Sequence, residues 1–203
     1  MFGAYLITII WDHLFTILKV WGFNTEYYMG IEFWELPLEE HLFFFTIPYS
    51  CVFIYEVLNY YMKKDYIGRL SRIISIALVL GLPMMAWFNF DKLYTVTVAL
   101  FCETILIHHL LVFRSHKRYM GRFYMAFFVS LIPFFIINGV LTSLPIIWYD
   151  DQQNLGMRIG TIPVEDILYN LFLFLSVITI YEHLKKKATR SVNDEELEEE
   201  GIA

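Results

Sequence analysis

Two cysteines are all that 203 residues contain, and both Cys51 and Cys102 lie inside apolar runs. A disulfide framework and a cysteine-based zinc cluster are therefore not expected. No glycine-rich phosphate loop follows a strand pattern and no nucleophile elbow occurs, so nucleotide binding and serine-hydrolase chemistry have no support. Glu103, His108 and His109 share one apolar segment, but neither histidine stands three or four positions from Glu103, the spacing that puts ligands on one helical face. His108 or His109 is expected to be a hydrogen-bonded helix contact instead, or a residue reaching the cytoplasmic interface. We expect no metal, no cofactor and no nucleic-acid partner. A cleavable leader is not expected either, because the first apolar stretch lacks a basic lead-in and a small-residue cleavage site.

Apolar residues are what the chain has in excess. At 58% hydrophobic and 19% aromatic it exceeds ordinary globular usage, which places it in the membrane class. The net charge of -6 comes from one place, the run Asp194, Glu195, Glu196, Glu198, Glu199 and Glu200. Residues 185–203 read as a charged, disordered tail. Ahead of it, six apolar runs are long enough to cross a bilayer: Phe2 to Val20, Pro37 to Met62, Leu70 to Phe88, Leu93 to Phe113, Phe123 to Leu144 and Pro163 to Leu184. Helices are the spanning form to expect, since lipid leaves backbone groups no other partner. Lys63, Lys64, Arg69, Arg72, Arg114, Lys117, Arg118, Arg122 and Lys185 to Lys187 all fall on one side, which predicts a cytoplasmic C-terminus.

Internal repetition organises these runs. The stretch Pro37-Leu38-Glu39-Glu40-His41-Leu42-Phe43-Phe44 opens the second run, and Pro163-Val164-Glu165-Asp166-Ile167-Leu168-Tyr169 opens the sixth. The same shift lays Gly30 on Gly156, Tyr55 on Tyr181, Glu56 on Glu182 and Leu58 on Leu184, which reads as a duplication. Runs one and two map onto five and six, an even number of crossings apart, so the repeats are parallel. The fourth run leads the second copy and has no counterpart in the first, whose leading helix either precedes the start of this sequence or is missing. The division that follows is 1–62 for the first repeat, 63–92 for a connecting segment with the third helix, and 93–184 for the second repeat. Both acidic motifs then fall at the extracytoplasmic ends of their helices.

Proline followed by acids is ordinary helix-start chemistry. An acid just inside a membrane helix is nevertheless costly unless it faces a protein interior, which makes Glu39, Glu40, Glu165 and Asp166 candidate catalytic groups. Two carboxyls beside an apolar site share one proton more cheaply than they carry two charges, and that supplies an acid and a base without a cofactor. Trp34, Phe43, Phe44 and Tyr169 could turn π faces toward a developing cation, or fill the membrane interface as aromatics commonly do. Asp12 lies midway along the first run and Asn138 is its repeat mate. Either a site role or an interhelical hydrogen bond suits them. Glu56 and Glu182, at the opposite ends, are expected to be interfacial or to pair with Lys63 or Lys185.

Trp21-Gly22-Phe23-Asn24, Tyr28, Gly30-Ile31, Leu36 to Glu40 and Phe43-Phe44, with the second copy from Gly160 to Tyr169, resemble the membrane-integral lycopene cyclase domain family. This is the tandem-repeat, non-flavin type of bacteria, archaea and fungi, and the resemblance covers nearly all of residues 1–184. It implies an all-α integral protein of the bacterial cell membrane that acts on lycopene in the bilayer, in possible company with other carotenoid enzymes. The implied reaction is an isomerisation of the intramolecular-lyase kind. An acid protonates the terminal double bond, the neighbouring double bond attacks the cation, and a base removes a proton to leave a β-ionone ring. Glu39 or Glu40 would donate, Glu165 or Asp166 would act as base or stabilising anion, and the aromatics would shield the cation. Parallel repeats put both motifs on one face, so one composite site between the second and sixth runs is expected, treating one end of the carotenoid and then, after reversal, the other. Competing readings are a related carotenoid end-group enzyme, a proton-coupled transporter and a non-catalytic pigment-binding protein. The transporter reading is weakened because Pro48, Pro83 and Pro133 are not repeat mates.

Overall fold

The computed structural model describes residues 2–62, 64–113 and 119–199. Its elements are α1 (Phe2–Ile17), β1 (Trp21–Phe23), β2 (Glu32–Phe33), β3 (Leu36–Pro37), α2 (Leu38–Tyr61), α3 (Gly68–Phe88), α4 (Leu93–Leu111), α5 (Met120–Ser143), β4 (Ile147–Tyr149), β5 (Arg158–Ile159), β6 (Ile162–Pro163) and α6 (Glu165–Glu199). Each expected apolar run is a helix, and α2 to α6 are long and apolar enough to cross a membrane. The protein is an all-helical integral membrane protein with five candidate spans among the described residues. Outward-facing Ile73, Leu80, Met84 and Trp87 on α3 suit hydrocarbon, where the same face would be a liability in water.

Helix α1 is shorter than its apolar run. It has 16 residues because Lys19 adopts a left-handed conformation, φ 57°. The Val20 N–H then donates to the Phe15 carbonyl at 2.9 Å and the Lys19 N–H to the Thr16 carbonyl at 3.1 Å, a paired closure that stops a helix. Helix α6 is longer than expected, continuing to Glu199 where the sequence reading placed a disordered tail from 185. Residues 185–199 hold no Gly or Pro and many strong helix formers, and extending an existing helix needs no new nucleus. Lys63, Arg114, Lys117, Arg118 and Glu200, which entered the charge arguments above, lie outside the described residues.

Three two-stranded sheets, which the sequence did not announce, tie the loops together at one end of the helices. Strands β1 and β4 pair antiparallel with Gly22 opposite Trp148 at the centre. Hairpins β2–β3 and β5–β6 precede α2 and α6. The shift that carries Pro37 to Pro163 lays β1 on β4 and one hairpin on the other. Their bonds recur in the same way. Asn24 N–H donates to the Ile146 carbonyl and Asp150 N–H to that of Val20, both at 2.9 Å, while Leu38 N–H meets Ile31 at 2.9 Å and Val164 N–H meets Met157 at 3.1 Å. Glycine is required at the centre of the β1–β4 pair, since a Cβ on Gly22 would lie 2.4 Å from the Trp148 ring.

The buried core runs through Tyr55, Tyr94, Phe123, Tyr124 and Phe174, where α2 packs on α5 and α6 and α4 packs on α3 and α6. Away from the strands, α2 and α6 are pinned together. Tyr55 donates to Glu182 at 2.7 Å, and Lys185 donates to Glu56 at 2.9 Å. His109 is buried and bonds the Thr179 hydroxyl at 2.8 Å, a helix contact that is one of the two alternatives open for this histidine pair.

Candidate active site

Pro37 directs the chain from β3 into α2 with Glu39 and Glu40 in the first turn. Successive residues on a helix point about 100° apart, so the two carboxyls of a pair cannot serve the same space. Glu39 turns back to its loop and accepts the Met29 N–H at 2.9 Å. Its counterpart Glu165 does likewise, taking the Leu155 N–H at 2.7 Å and the Thr95 hydroxyl at 2.6 Å. Both hold the loop onto the helix start. Glu40 and Asp166 face the other way, into one cavity of about 210 Å³ that also takes in Asp12, Asn138, Phe43, Phe44 and Tyr169.

The acids in this cavity have unequal surroundings. Asp166 receives two phenols, Tyr94 on Oδ1 at 2.7 Å and Tyr149 on Oδ2 at 2.8 Å, an arrangement suited to an ionised, acceptor-only carboxylate. Burial and the adjacent Asp166 charge push the Tyr149 phenol well above its ordinary value of 10.0, so it stays a proton donor at physiological pH. Asp12 takes the Trp21 indole N–H on Oδ1 at 2.7 Å. Its Oδ2, the Tyr169 hydroxyl and Asn170 Nδ2 are buried without a hydrogen-bond partner among the described residues. Glu40 is half-buried, and no described donor bonds its carboxyl. The reason is legible in the repeat. Phe23, without a hydroxyl, stands where the second half has Tyr149.

Of the residues singled out from sequence, Asp12, Glu40, Phe43, Phe44, Asn138, Asp166 and Tyr169 converge on the cavity, while Glu39 and Glu165 do not line it. Trp34 does not line it either. It forms the exposed turn of the β2–β3 hairpin with φ 52°, and its carbonyl accepts His13 Nδ1–H at 2.6 Å. Sequence reasoning missed Tyr94 and Tyr149, which carry no motif, and passed over Trp21 although it lies in a quoted stretch. All three close the strand end of the cavity, where Tyr94 and Tyr149 stack with centroids 6.2 Å apart.

Carboxyls, phenols and aromatic faces around an apolar space among apolar helices are the groups that acid–base chemistry on a hydrocarbon-like substrate would use. Comparison with protein families agrees in kind. The lycopene cyclase family model matches residues 1–58 and 91–184, leaving out α3 and its flanks, and the chain belongs to that family. Its role is that of a carotenoid cyclase. Comparisons with curated proteins and with solved structures gave no match.

Proposed function

We propose that the protein is a lycopene β-cyclase, converting the linear ends of lycopene to β-ionone rings without net redox change. The observation that carries this reading is the meeting of Glu40 and Asp166, one from each motif, with Asp12 in one aromatic-lined cavity. Glu40, whose carboxyl has no donor among the described residues, protonates the terminal double bond. The neighbouring double bond attacks the resulting cation and a carbon–carbon bond closes the ring. Phe43, Phe44 and Tyr169 present π faces to the ring cation, and the Asp166 carboxylate, fixed by its two phenols, removes a ring proton. Asp12 and Glu40 line the same cavity, where two carboxyls hold one proton and one charge more cheaply than two charges. Asp166 passes its proton to water, and Glu40 takes one from water, before the next turnover. General acid–base groups of this kind contribute about 10²- to 10⁴-fold each.

The recurrence of β-pairing, hairpins and loop bonds under one shift supports two parallel repeats, related by a local two-fold axis through Gly22 and Trp148. In this reading 1–62 and 93–184 are the repeats, α3 connects them, and α1 is a sixth and shorter span. Among the described residues no phenol clamps Glu40 as Tyr94 and Tyr149 clamp Asp166, which suits Glu40 to act as the acid and Asp166 as the anion. The strand end is extracytoplasmic and α6 ends in the cytoplasm of a bacterial cell.

The test is pigment analysis in lycopene-accumulating cells. The wild-type chain should produce cyclic carotenoid, and Glu40→Gln, expressed to the same level, should leave lycopene uncyclised. Undiminished β-carotene from Glu40→Gln would remove Glu40 from the mechanism.

A further inference from the structure

The cavity does not stop at the acids. It continues along one face of α2 through Phe43, Ile47, Cys51 and Ile54, the three-and-four spacing of a helical stripe. Helix α5 supplies the facing wall, with Ser130, Pro133, Phe134 and Ile137. From Glu40 to Ile54 the stripe is about 21 Å long at 1.5 Å per residue, roughly two-thirds of a hydrocarbon core of about 30 Å. Past the acids neither wall has a charged side chain. Ser50, Pro133 and Ile137 along this seam are exposed, so the groove opens sideways, where lipid would lie.

The equivalent seam, between α6 and α1, is shut. The shift that relates the motifs lays Ile137 on Trp11. Trp11 is 5% exposed, stacked on Phe101 of α4 with centroids 4.7 Å apart and set edge-on to Tyr169 at 5.0 Å. Phe172 closes in at 5.7 Å, and Phe15, which corresponds to Leu141 on the open side, is buried as well. Two related seams therefore differ. An indole backed by α4 fills one, and an isoleucine leaves the other open.

We infer that the α2–α5 groove binds the polyene chain of the substrate, which enters sideways from the bilayer with one end at Glu40 and Asp166 and the rest along α2 toward the opposite end of the bundle. The inference rests on the cyclase reading and deepens it. A long, narrow, uncharged slot of Phe, Ile and Pro fits a stiff conjugated hydrocarbon. A single groove accepts a single end at a time, so the singly cyclised carotenoid leaves and re-enters reversed before the second ring forms.

Lycopene retention by a protein that cannot consume it separates the groove from the chemistry. Glu40→Gln protein purified in detergent from lycopene-accumulating cells should carry lycopene, measured by polyene absorbance per protein. Adding Ile137→Trp, which copies the residue of the shut seam into the open one, should lower retention roughly tenfold or more. Ser50→Phe on the opposite wall should act alike, while Ile136→Trp, whose side chain is exposed outside the groove, should leave retention unchanged. Full retention with either wall filled would overturn the groove. An independent arm uses the unaltered enzyme in a time course, where free singly cyclised carotenoid should appear before the bicyclic product. Bicyclic product with no free intermediate would overturn the single-groove inference. Failure of the cyclase reading looks different, since the wild type would then make no ring while Glu40→Gln protein still held lycopene.

Discussion

Tyr94→Phe and Tyr149→Phe each remove one oxygen and leave the ring in place. Each takes from Asp166 a hydrogen bond, of 2.7 Å and 2.8 Å respectively. Bonds to a charged group contribute about 1.5–3 kcal/mol. If that stabilisation is realised in the transition state, each substitution lowers kcat by roughly 10- to 150-fold. KM should stay within about twofold, because phenylalanine keeps the apolar lining and the stacked pair, so the loss is in kcat rather than in uniform binding. The double variant should fall between the larger single effect and the product of both, since the two phenols share one acceptor. Initial rates of cyclic product from lycopene in proteoliposomes, at matched protein content, provide the assay. The wild-type rate should also show no phenol titration below about pH 10, because the Tyr149 phenol is held above its ordinary value. A double variant with wild-type kcat would refute the claim that the phenols hold Asp166 for its task.

Glu39→Gln and Glu165→Gln should be mild by comparison, within about tenfold of wild-type rate, because an amide oxygen still accepts the loop N–H that each carboxylate holds. Comparable loss from Glu39→Gln and Glu40→Gln would mean that the first acid of the pair also reaches substrate. Gly22→Ala should lower thermal stability by about 1–3 kcal/mol and reduce activity with it, since the added Cβ meets Trp148 at 2.4 Å and displaces the β1–β4 pairing that carries Trp21 and Tyr149. Unchanged melting, followed by fluorescence in detergent, would contradict that placement.

Much of this architecture was legible because it rests on long signals. Apolar runs of spanning length appear as α2 to α6, and the Pro-acid motifs do open α2 and α6. What escaped the sequence depended on short or tertiary features. Strands of two or three residues leave no periodicity to read, and one left-handed residue, Lys19, decided where α1 ends. Trp34 looked like a site aromatic beside the motif, yet the hairpin turns it outward. Adjacent acids looked equivalent until the helix separated them, Glu39 and Glu165 toward loops and Glu40 and Asp166 toward the cavity. Tyr94 and Tyr149 come from α4 and β4, and no spacing in the chain shows that they share one carboxylate.

The account stands on protonation of an alkene by a carboxyl in exchange with water, which mass spectrometry can read directly. Enzyme pre-equilibrated in D2O and supplied with unlabelled lycopene should yield product carrying one deuterium for each ring formed, because the donated particle comes from the exchanged acid and the base removes a substrate hydrogen. Cyclic product with no deuterium in its rings would contradict it.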